Sequence, residues 1–303
     1  MPAPGPPPAL LLDAAAAAPT PAALLRRRTL RHGGIVFGGS ALLLILGLAL
    51  LAPWLAPHDP YDQELSRRML AAGWHAGGTW AHPLGTDNLG RDYLSRVIYG
   101  SRISLLIGVS AMVISGLIGA TLGITAGYFG GRTDLAITFL VTTRLSIPVV
   151  LVALAVVALV GSSLRVVISV LGFLLWDRFA VVMRSATQQA RVLDYVTAAQ
   201  AAGCSPLRIV LSEILPNTMN HLIVVATLEM AQAILLEAAL SFLGLGVQPP
   251  LPSWGLMVAE GKQFMFVKPS LIAMPGVALF LLVLSINLLG DGIRDVTAPE
   301  ARA

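Results

Sequence analysis

Five ionisable side chains lie within or beside long apolar stretches of the chain, where a charge is costly unless it has a partner or a function. They are Arg144, Asp177, Arg178, Glu229 and Glu237. Glu229 and Glu237 are eight residues apart, about two helical turns, so on one helix they face similar directions, as residues that line a common polar pathway would. Alternatively, Asp177 and Arg178 lie near a membrane interface, and Glu237 caps or pairs near the end of its span. The pattern makes Arg144, Glu229 and Glu237 candidate residues of a translocation pathway.

Motifs that would bind ATP, hold a metal or form a hydrolytic site are missing from the sequence. A P-loop needs Gly-x-x-x-x-Gly-Lys-Ser/Thr to cradle phosphates, and neither lysine of the chain, Lys262 or Lys268, stands in that pattern. There is no H-E-x-x-H, no pair of cysteines and no Gly-x-Ser-x-Gly. The histidines of the predicted first external loop, His58, His75 and His82, are expected to be solvated. We therefore expect no catalytic residue, no metal site and no cofactor bound by this chain.

The composition is that of a membrane protein with several spans. Hydrophobic residues make up 56% of the 303 residues, charged residues 12%, and the mean hydropathy is +0.78, far from the balance of a soluble chain. The 20 lysines and arginines are spread along the chain rather than gathered on one face, which argues against nucleic acid as a partner. A single cysteine rules out an internal disulfide.

Six apolar stretches reach the length of about 20 residues that a membrane crossing needs. They fall near Ile35–Ala56, Ile103–Phe129, Leu135–Val160, Val166–Val182, Leu222–Leu245 and Leu271–Leu289. Six spans put both termini on one side, and the arginines at 26–28 and 31 predict that this side is the cytoplasm. We therefore expect an all-α polytopic membrane protein with six transmembrane helices.

These stretches divide the chain into four expected parts. Residues 1–32 form a disordered Pro/Ala-rich cytoplasmic tail with a basic anchor, and residues 291–303 form a cytoplasmic C-terminal tail. Residues 33–102 hold the first span, an extracytoplasmic loop and a short amphipathic helix on the membrane surface, with an Asp92/Arg96 pair at i,i+4. Residues 103–290 form a five-span core with a cytoplasmic loop at 184–217.

Small residues and prolines mark two structural features of the spans. Pro148 and Pro275 predict kinks or local opening of their helices. The second span carries small residues at a strict four-residue spacing, which predicts a groove on one helical face that packs closely against another helix. They are Ser115, Gly119, Gly123 and Gly127.

A polar, helix-prone insert, Asp194–Asn217, separates two of the long apolar stretches. Its alanines lead into Gly203, and a second amphipathic run follows that closes with Leu215 and Pro216. This pattern predicts two short helices joined at a glycine, with the proline ending the second helix. The alanines allow another protein to approach the backbone closely.

Taken together, four strings in this order resemble one family. They are GTDNLGRDYLSR (85–96), the central insert, EAALSFLGLGVQPPLPSWG (237–255) and NLLGDGIRD (287–295). The chain resembles the inner-membrane permease subunits of dipeptide/oligopeptide/nickel-type ABC importers, specifically the shorter permease of the pair, from about Gly33 to Asp295. The resemblance implies the type I ABC importer permease (MetI-like) architecture.

In that family the insert is the EAA motif, Glu-Ala-Ala-x3-Gly-x9-Ile-x-Leu-Pro, whose helices dock into a cleft of a separate ATPase. In this chain Thr197 replaces the glutamate and Glu213 takes the isoleucine position. The residues that the resemblance assigns to coupling with the ATPase are Asp194, Thr197, Ala198, Ala199, Gly203, Leu215 and Pro216.

The resemblance also implies an assembly in a bacterial inner membrane. It would contain a second, similar permease, two cytoplasmic ATPase domains that carry ATP and Mg²⁺, and an extracytoplasmic binding protein that delivers the solute, with membrane lipid around the spans. The imported solute is left open among dipeptides, longer peptides, glutathione-like molecules and chelated nickel. The alternative is an ion-coupled secondary transporter with Glu229 and Glu237 as proton carriers, although the internal repeats with paired broken helices that such transporters show are not evident. An intramembrane enzyme is a remote third option.

Overall fold

The computed structural model describes residues 27–297, which are almost entirely helical. Residues 1–26, which make up most of the predicted N-terminal tail, and residues 298–303 lie outside this range. Residues 27–31 are helical, and the later helices are α1 (Gly33–Leu50), α2 (Ala52–Leu55), α3 (Tyr93–Phe129), α4 (Gly131–Leu145), α5 (Val149–Val160), α6 (Leu164–Leu174), α7 (Asp177–Arg191), α8 (Asp194–Ala201), α9 (Pro206–Ile209), α10 (Leu215–Phe242), α11 (Trp254–Lys262) and α12 (Ser270–Thr297).

Between residues 27 and 297, five helical runs are long and apolar enough to cross a membrane, and a bent pair makes a sixth if it counts as one span. The runs are Gly33–Leu50, Tyr93–Phe129, Leu164–Arg191, Pro206–Phe242 and Ser270–Thr297, with the pair α4 and α5 bent by 81°. The break in this pair precedes Pro148, the N-cap of α5, as expected because a proline restricts the residue before it. The prediction of an all-α protein with six spans therefore agrees with the structure.

The structure differs from the predicted segmentation at the second and fourth spans. Residues 93–102 are not a separate surface helix but the first turns of α3, which runs for 37 residues. Asp92 does not pair with Arg96: it caps α3 by accepting from the Ser95 N–H, while Arg96 is buried and faces Asp87 and Glu260. The fourth span continues past the predicted end at Val182, because α7 follows α6 after a two-residue break.

The second span packs against α7 along its small residues. A Cβ at Gly119 would lie 2.2 Å from the Trp176 carbonyl oxygen, and one at Gly123 would lie 2.5 Å from that of Ala180. A Cβ at Gly127 would lie 2.7 Å from the Arg184 carbonyl oxygen. Ser115, at the start of this row, is fully buried and donates to its own helix. The two backbones approach this closely because the small residues leave no side chain between them.

Helix α3 connects the two ends of the bundle, since 37 residues span about 55 Å at 1.5 Å per residue. At its first turns the Trp254 indole N–H donates to the Val97 carbonyl at 2.8 Å, so the segments 56–92 and 243–269 meet at one end. At its last turn Arg191 donates to the Tyr128 carbonyl at 2.9 Å. The insert follows Arg191 directly, so it lies at the opposite end.

Candidate functional site

The insert folds into two short helices joined at a left-handed glycine. Helix α8 ends with the Cys204 N–H donating to the Ala199 carbonyl at 3.1 Å, and Gly203 between them has φ +76°. Helix α9 begins at Pro206, and the Ser205 hydroxyl accepts from the Arg208 N–H. Both the position of the glycine and the helix pair agree with the pattern of the sequence.

The prediction that Pro216 ends the second helix is wrong. Helix α9 continues through a π-helical turn, Val210–Ile214, into α10, where Pro216 lies in the first turn. The wider turn accommodates a residue without a backbone N–H, and the Asn217 side chain donates to the Glu213 carbonyl at 2.6 Å. The insert is therefore continuous with a membrane-spanning helix.

One face of the insert is buried, and the other exposes several large apolar side chains. Val196, Ile209 and Ile214 form a buried cluster with Ala190. On the outside, large apolar side chains are exposed: Leu207 by 69% and Leu211 by 53%, with Val192, just before the insert, exposed by 69%. Of the residues assigned to coupling, Ala199 and Leu215 are half-buried, and the others are exposed: Asp194, Thr197, Ala198, Gly203 and Pro216. Exposed apolar side chains beside small residues are typical of a docking surface.

Thr197, which replaces the family's glutamate, does not supply a charge to this surface. Its hydroxyl donates to the Asp194 carbonyl of the same helix at 3.0 Å. Asp194 lies in the first turn of α8, where a negative charge stabilises the helix dipole. At position 197 this surface therefore offers shape rather than charge, and the exposed acid of α8 is Asp194.

A second candidate site is a cavity of about 190 Å³ between the helix breaks. Its lining includes Arg144, Asp177, Arg178 and Glu229. The Arg178 guanidinium lies 3.2 Å from a Glu229 carboxylate oxygen, while Arg144 donates to backbone carbonyls at Ile147 and Leu174. Arg144 thus binds the last carbonyl of α6 and a carbonyl in the break between α4 and α5, and the pairing of Glu229 with Arg178 was not predicted from the sequence.

Glu237 does not share this cavity with Glu229. Its carboxylate accepts from Ser241 at 2.7 Å and from Ser253 at 2.9 Å, and the side chain is fully buried. Ser253 is also the N-cap of α11, so Glu237 ties that helix to α10. Its surroundings match the pairing alternative rather than a common pathway with Glu229.

The opposite end of the bundle holds a network of buried charges that sequence spacing did not reveal. Asp87 accepts from Arg91 at 2.7 Å and from Arg96 at 2.6 Å, and Glu260 lies 2.8 Å from Arg96 and 3.4 Å from Arg91. Lys268 donates nearby to the carbonyls of residues 70 and 86, and burial lowers its pKa. The signal in the sequence is the density of charges around the turn of GTDNLGRD.

The expectation of solvated histidines at this end is wrong for His82. Its ring is buried and its Nδ1 lies 2.9 Å from an oxygen of Asp92. His58 stacks on it, with the ring centroids 4.5 Å apart, and both His58 and His75 are exposed as expected. Asp92, the N-cap of α3, draws the two rings together, which a scan for histidine spacing does not reveal because the three residues are distant in sequence.

Comparison with known proteins agrees with this architecture. Residues 119–303 match the family of binding-protein-dependent transport system inner membrane components, and residues 20–72 match the N-terminal transmembrane domain of oligopeptide transport permease C. Among solved structures, the inward-facing MetNI methionine ABC transporter matches with a TM-score of 0.55 at 19% identity, over 68% of this chain and 96% of that one. At this identity the likeness shows the fold alone.

Curated relatives are similar over most of their length. The di/tripeptide transport system permease DppC of Pseudomonas aeruginosa is 43% identical over 86% of both chains. DppC of Escherichia coli is 40% identical over 86% of this chain and 87% of its own. The glutathione transport system permease GsiD of Pectobacterium atrosepticum is 36% identical over 86% and 85%. The chain therefore belongs to the family of binding-protein-dependent transport system inner membrane components.

Proposed function

We propose that this chain is a permease subunit of an ATP-driven importer of di- or oligopeptides or related small solutes, and that the insert couples it to a separate ATPase. The observation that carries this proposal is the exposed face of α8 and α9, with small and apolar residues at one end of the bundle. The relatives named for peptide and glutathione transport support the class of solute.

The proposed assembly contains a second permease, two ATPase domains and a binding protein. The ATPase domains would carry ATP and Mg²⁺ and would lie against the insert, on the cytoplasmic side together with both termini. The binding protein would approach the opposite end, where the segments 56–92 and 243–269 meet. In this arrangement the permease itself performs no chemistry, and its helices provide the path through the bacterial inner membrane.

The continuity of the insert with α10 supports a lever mechanism. A shift of α8 and α9, driven by closure of the ATPases, would be carried through the turn Val210–Ile214 into α10. Glu229 on α10 faces Arg178 on α7 across the cavity, so movement of α10 would change this contact and the opening of the cavity. The free energy comes from ATP bound elsewhere, because each state is favoured by its own contacts.

The test is a bulky substitution on the exposed face of α8. We expect Ala198→Trp to lower uptake of a labelled dipeptide and peptide-stimulated ATP hydrolysis about tenfold or more, since a clash worth about 1.4 kcal/mol already weakens binding tenfold. Ala198→Ser, which keeps the surface small, should retain both activities. Both variants should insert into the membrane, because the side chain at 198 is exposed. Wild-type transport by Ala198→Trp would contradict the assignment of the surface.

The same uptake measurement, made in membrane vesicles, discriminates against a secondary transporter that uses Glu229 and Glu237. Uptake should require ATP and should persist when an ionophore collapses the proton gradient. The surroundings of the two carboxylates already disfavour that alternative, because Glu237 is enclosed by two serine hydroxyls rather than placed on the cavity. Uptake that continues without the ATPase and stops with the gradient would favour it.

A further inference from the structure

We propose that His58, His82 and Asp92 form a Zn²⁺ site at the end of the bundle opposite the insert. One ligand atom of each residue lies within 4.8 Å of the others. Two imidazole nitrogens and one carboxylate oxygen, with a fourth position left for water, are a ligand set that Zn²⁺ uses in proteins. The three residues come from the segment after α2, from the turn before GTDNLGRD and from the N-cap of α3.

The carboxylate is oriented for this role by its own hydrogen bonds. One oxygen of Asp92, Oδ2, accepts from the Ser95 N–H at 2.8 Å and from the Ser95 hydroxyl at 2.7 Å. The other, Oδ1, faces both rings, with His82 Nδ1 at 2.9 Å and His58 Nδ1 at 3.8 Å. Bonds of about 2.0–2.2 Å in a tetrahedral zinc site place neighbouring ligand atoms roughly 3.3 Å apart. The two measured distances bracket that separation.

Burial and stacking hold the two rings beside one buried carboxylate. His82 is 6% exposed, and its Nδ1 is the ring nitrogen that faces the Asp92 carboxylate. The rings are stacked with centroids 4.5 Å apart, and both Nδ1 atoms face the same Asp92 oxygen. A divalent cation suits this arrangement, because it binds neutral imidazole rings and balances the carboxylate.

The site is open to solvent at His58, whereas its other two ligands are buried. The side chain of His58 is 40% exposed, whereas those of His82 and Asp92 are 7% and 1% exposed. The His58 backbone N–H donates to the Ser95 hydroxyl at 3.1 Å, so this residue is tied to the same cap. A metal would enter beside His58, which needs only a small side-chain movement, and would fasten the segment 56–92 to the start of α3.

The experiment measures Zn²⁺ binding to the full-length chain, purified in mild detergent with its partner subunits and stripped by a chelator. Titration with Zn²⁺ alone should show one metal per chain that is lost, or weakened at least about tenfold, in His58→Gln. His75→Gln is the matched control, since His75 is an exposed histidine of the same segment outside the cluster. With Zn²⁺ bound, the segment 56–92 should resist proteolysis more in the wild type but not in His58→Gln.

Two results would overturn the proposal. The first is a wild-type complex that binds no Zn²⁺ beyond what His58→Gln binds. The second is Co²⁺ substitution that shows thiolate charge-transfer absorption, which would place the metal on Cys204 instead. Because His58 is partly exposed, we expect its glutamine variant to fold, and equal melting temperatures of the two stripped proteins check this directly.

Discussion

At the scale of single residues, Tyr93 completes a helix that Pro275 interrupts. Pro275 has no N–H to donate to the carbonyl of Leu271, four residues earlier, yet α12 continues through it. The Tyr93 hydroxyl donates to that carbonyl instead. The sequence predicted a kink from the proline, but a donor more than 170 residues away in sequence leaves no local pattern, so this compensation was not predictable.

We expect Tyr93→Phe to destabilise the protein by about 1–3 kcal/mol, because it leaves the buried Leu271 carbonyl without a donor. The ring itself is conserved by this change, so packing is retained. Tyr61→Phe is the control: that ring is 38% exposed, and its loss of a hydroxyl should cost no more than about 0.5 kcal/mol. Unfolding in detergent with increasing denaturant measures both. Equal stability of the two variants would contradict the role of the Tyr93 hydroxyl.

At the scale of elements, the row of small residues on α3 determines how closely α7 approaches. The four-residue spacing predicted which face of the helix packs, since the spacing alone fixes the face. It did not predict which helix lies opposite, because any helix with a complementary surface fits such a groove. In the same way, Pro216 indicated a helix boundary without showing whether it starts or ends the helix, and the preceding π-helical turn decided this.

Gly123→Ala tests the contact between α3 and α7. The added Cβ would lie 2.5 Å from the Ala180 carbonyl oxygen and 2.9 Å from the Arg184 nitrogen, and backbone atoms cannot move aside as a flexible side chain can. We expect a loss of about 1–3 kcal/mol from overpacking. Gly47→Ala in α1 meets nothing within 4 Å and should be neutral or stabilising by up to about 1 kcal/mol. Thermal unfolding in detergent measures both variants, and equal melting temperatures would contradict this packing contact.

At the scale of the whole molecule, the bundle has two differently built ends joined by α3. The insert end presents exposed apolar and small side chains, whereas the other end holds buried ion pairs and the histidine cluster. Hydropathy predicted the spans and the resemblance predicted the fold, because long apolar runs and family strings are properties of local sequence. The ion pairs were predicted wrongly as an i,i+4 pair of Asp92 with Arg96, since the partners of Arg96 are Asp87, nine residues before it, and Glu260, 164 residues after it.

The network of Asp87, Arg91, Arg96 and Glu260 balances two positive charges with two negative ones. Their side chains are nearly inaccessible except that of Glu260, which is 24% exposed. Removing one acid leaves an excess buried positive charge, and breaking a buried pair in this way costs about 3–5 kcal/mol. The network joins the segment before α3 to α11, so its loss should loosen the whole end of the bundle opposite the insert.

We therefore expect Glu260→Gln to lower the free energy of unfolding by about 3 kcal/mol, the lower end of that range, because the side chain is partly solvated. The variant should also expose the segment 56–92 to proteolysis. Glu64→Gln is the matched control, since Glu64 pairs with Arg67 at 3.1 Å while both side chains are about half exposed, and such a pair contributes about 0–1 kcal/mol. Raising the salt concentration should weaken the Glu64 pair but leave the effect of Glu260→Gln almost unchanged, because buried charges are screened little. If high salt removed the difference in stability between wild type and Glu260→Gln, the network would be a surface interaction. The segments 56–92 and 243–269 would then have to be held together by apolar contacts, such as that of Trp254 with the first turns of α3.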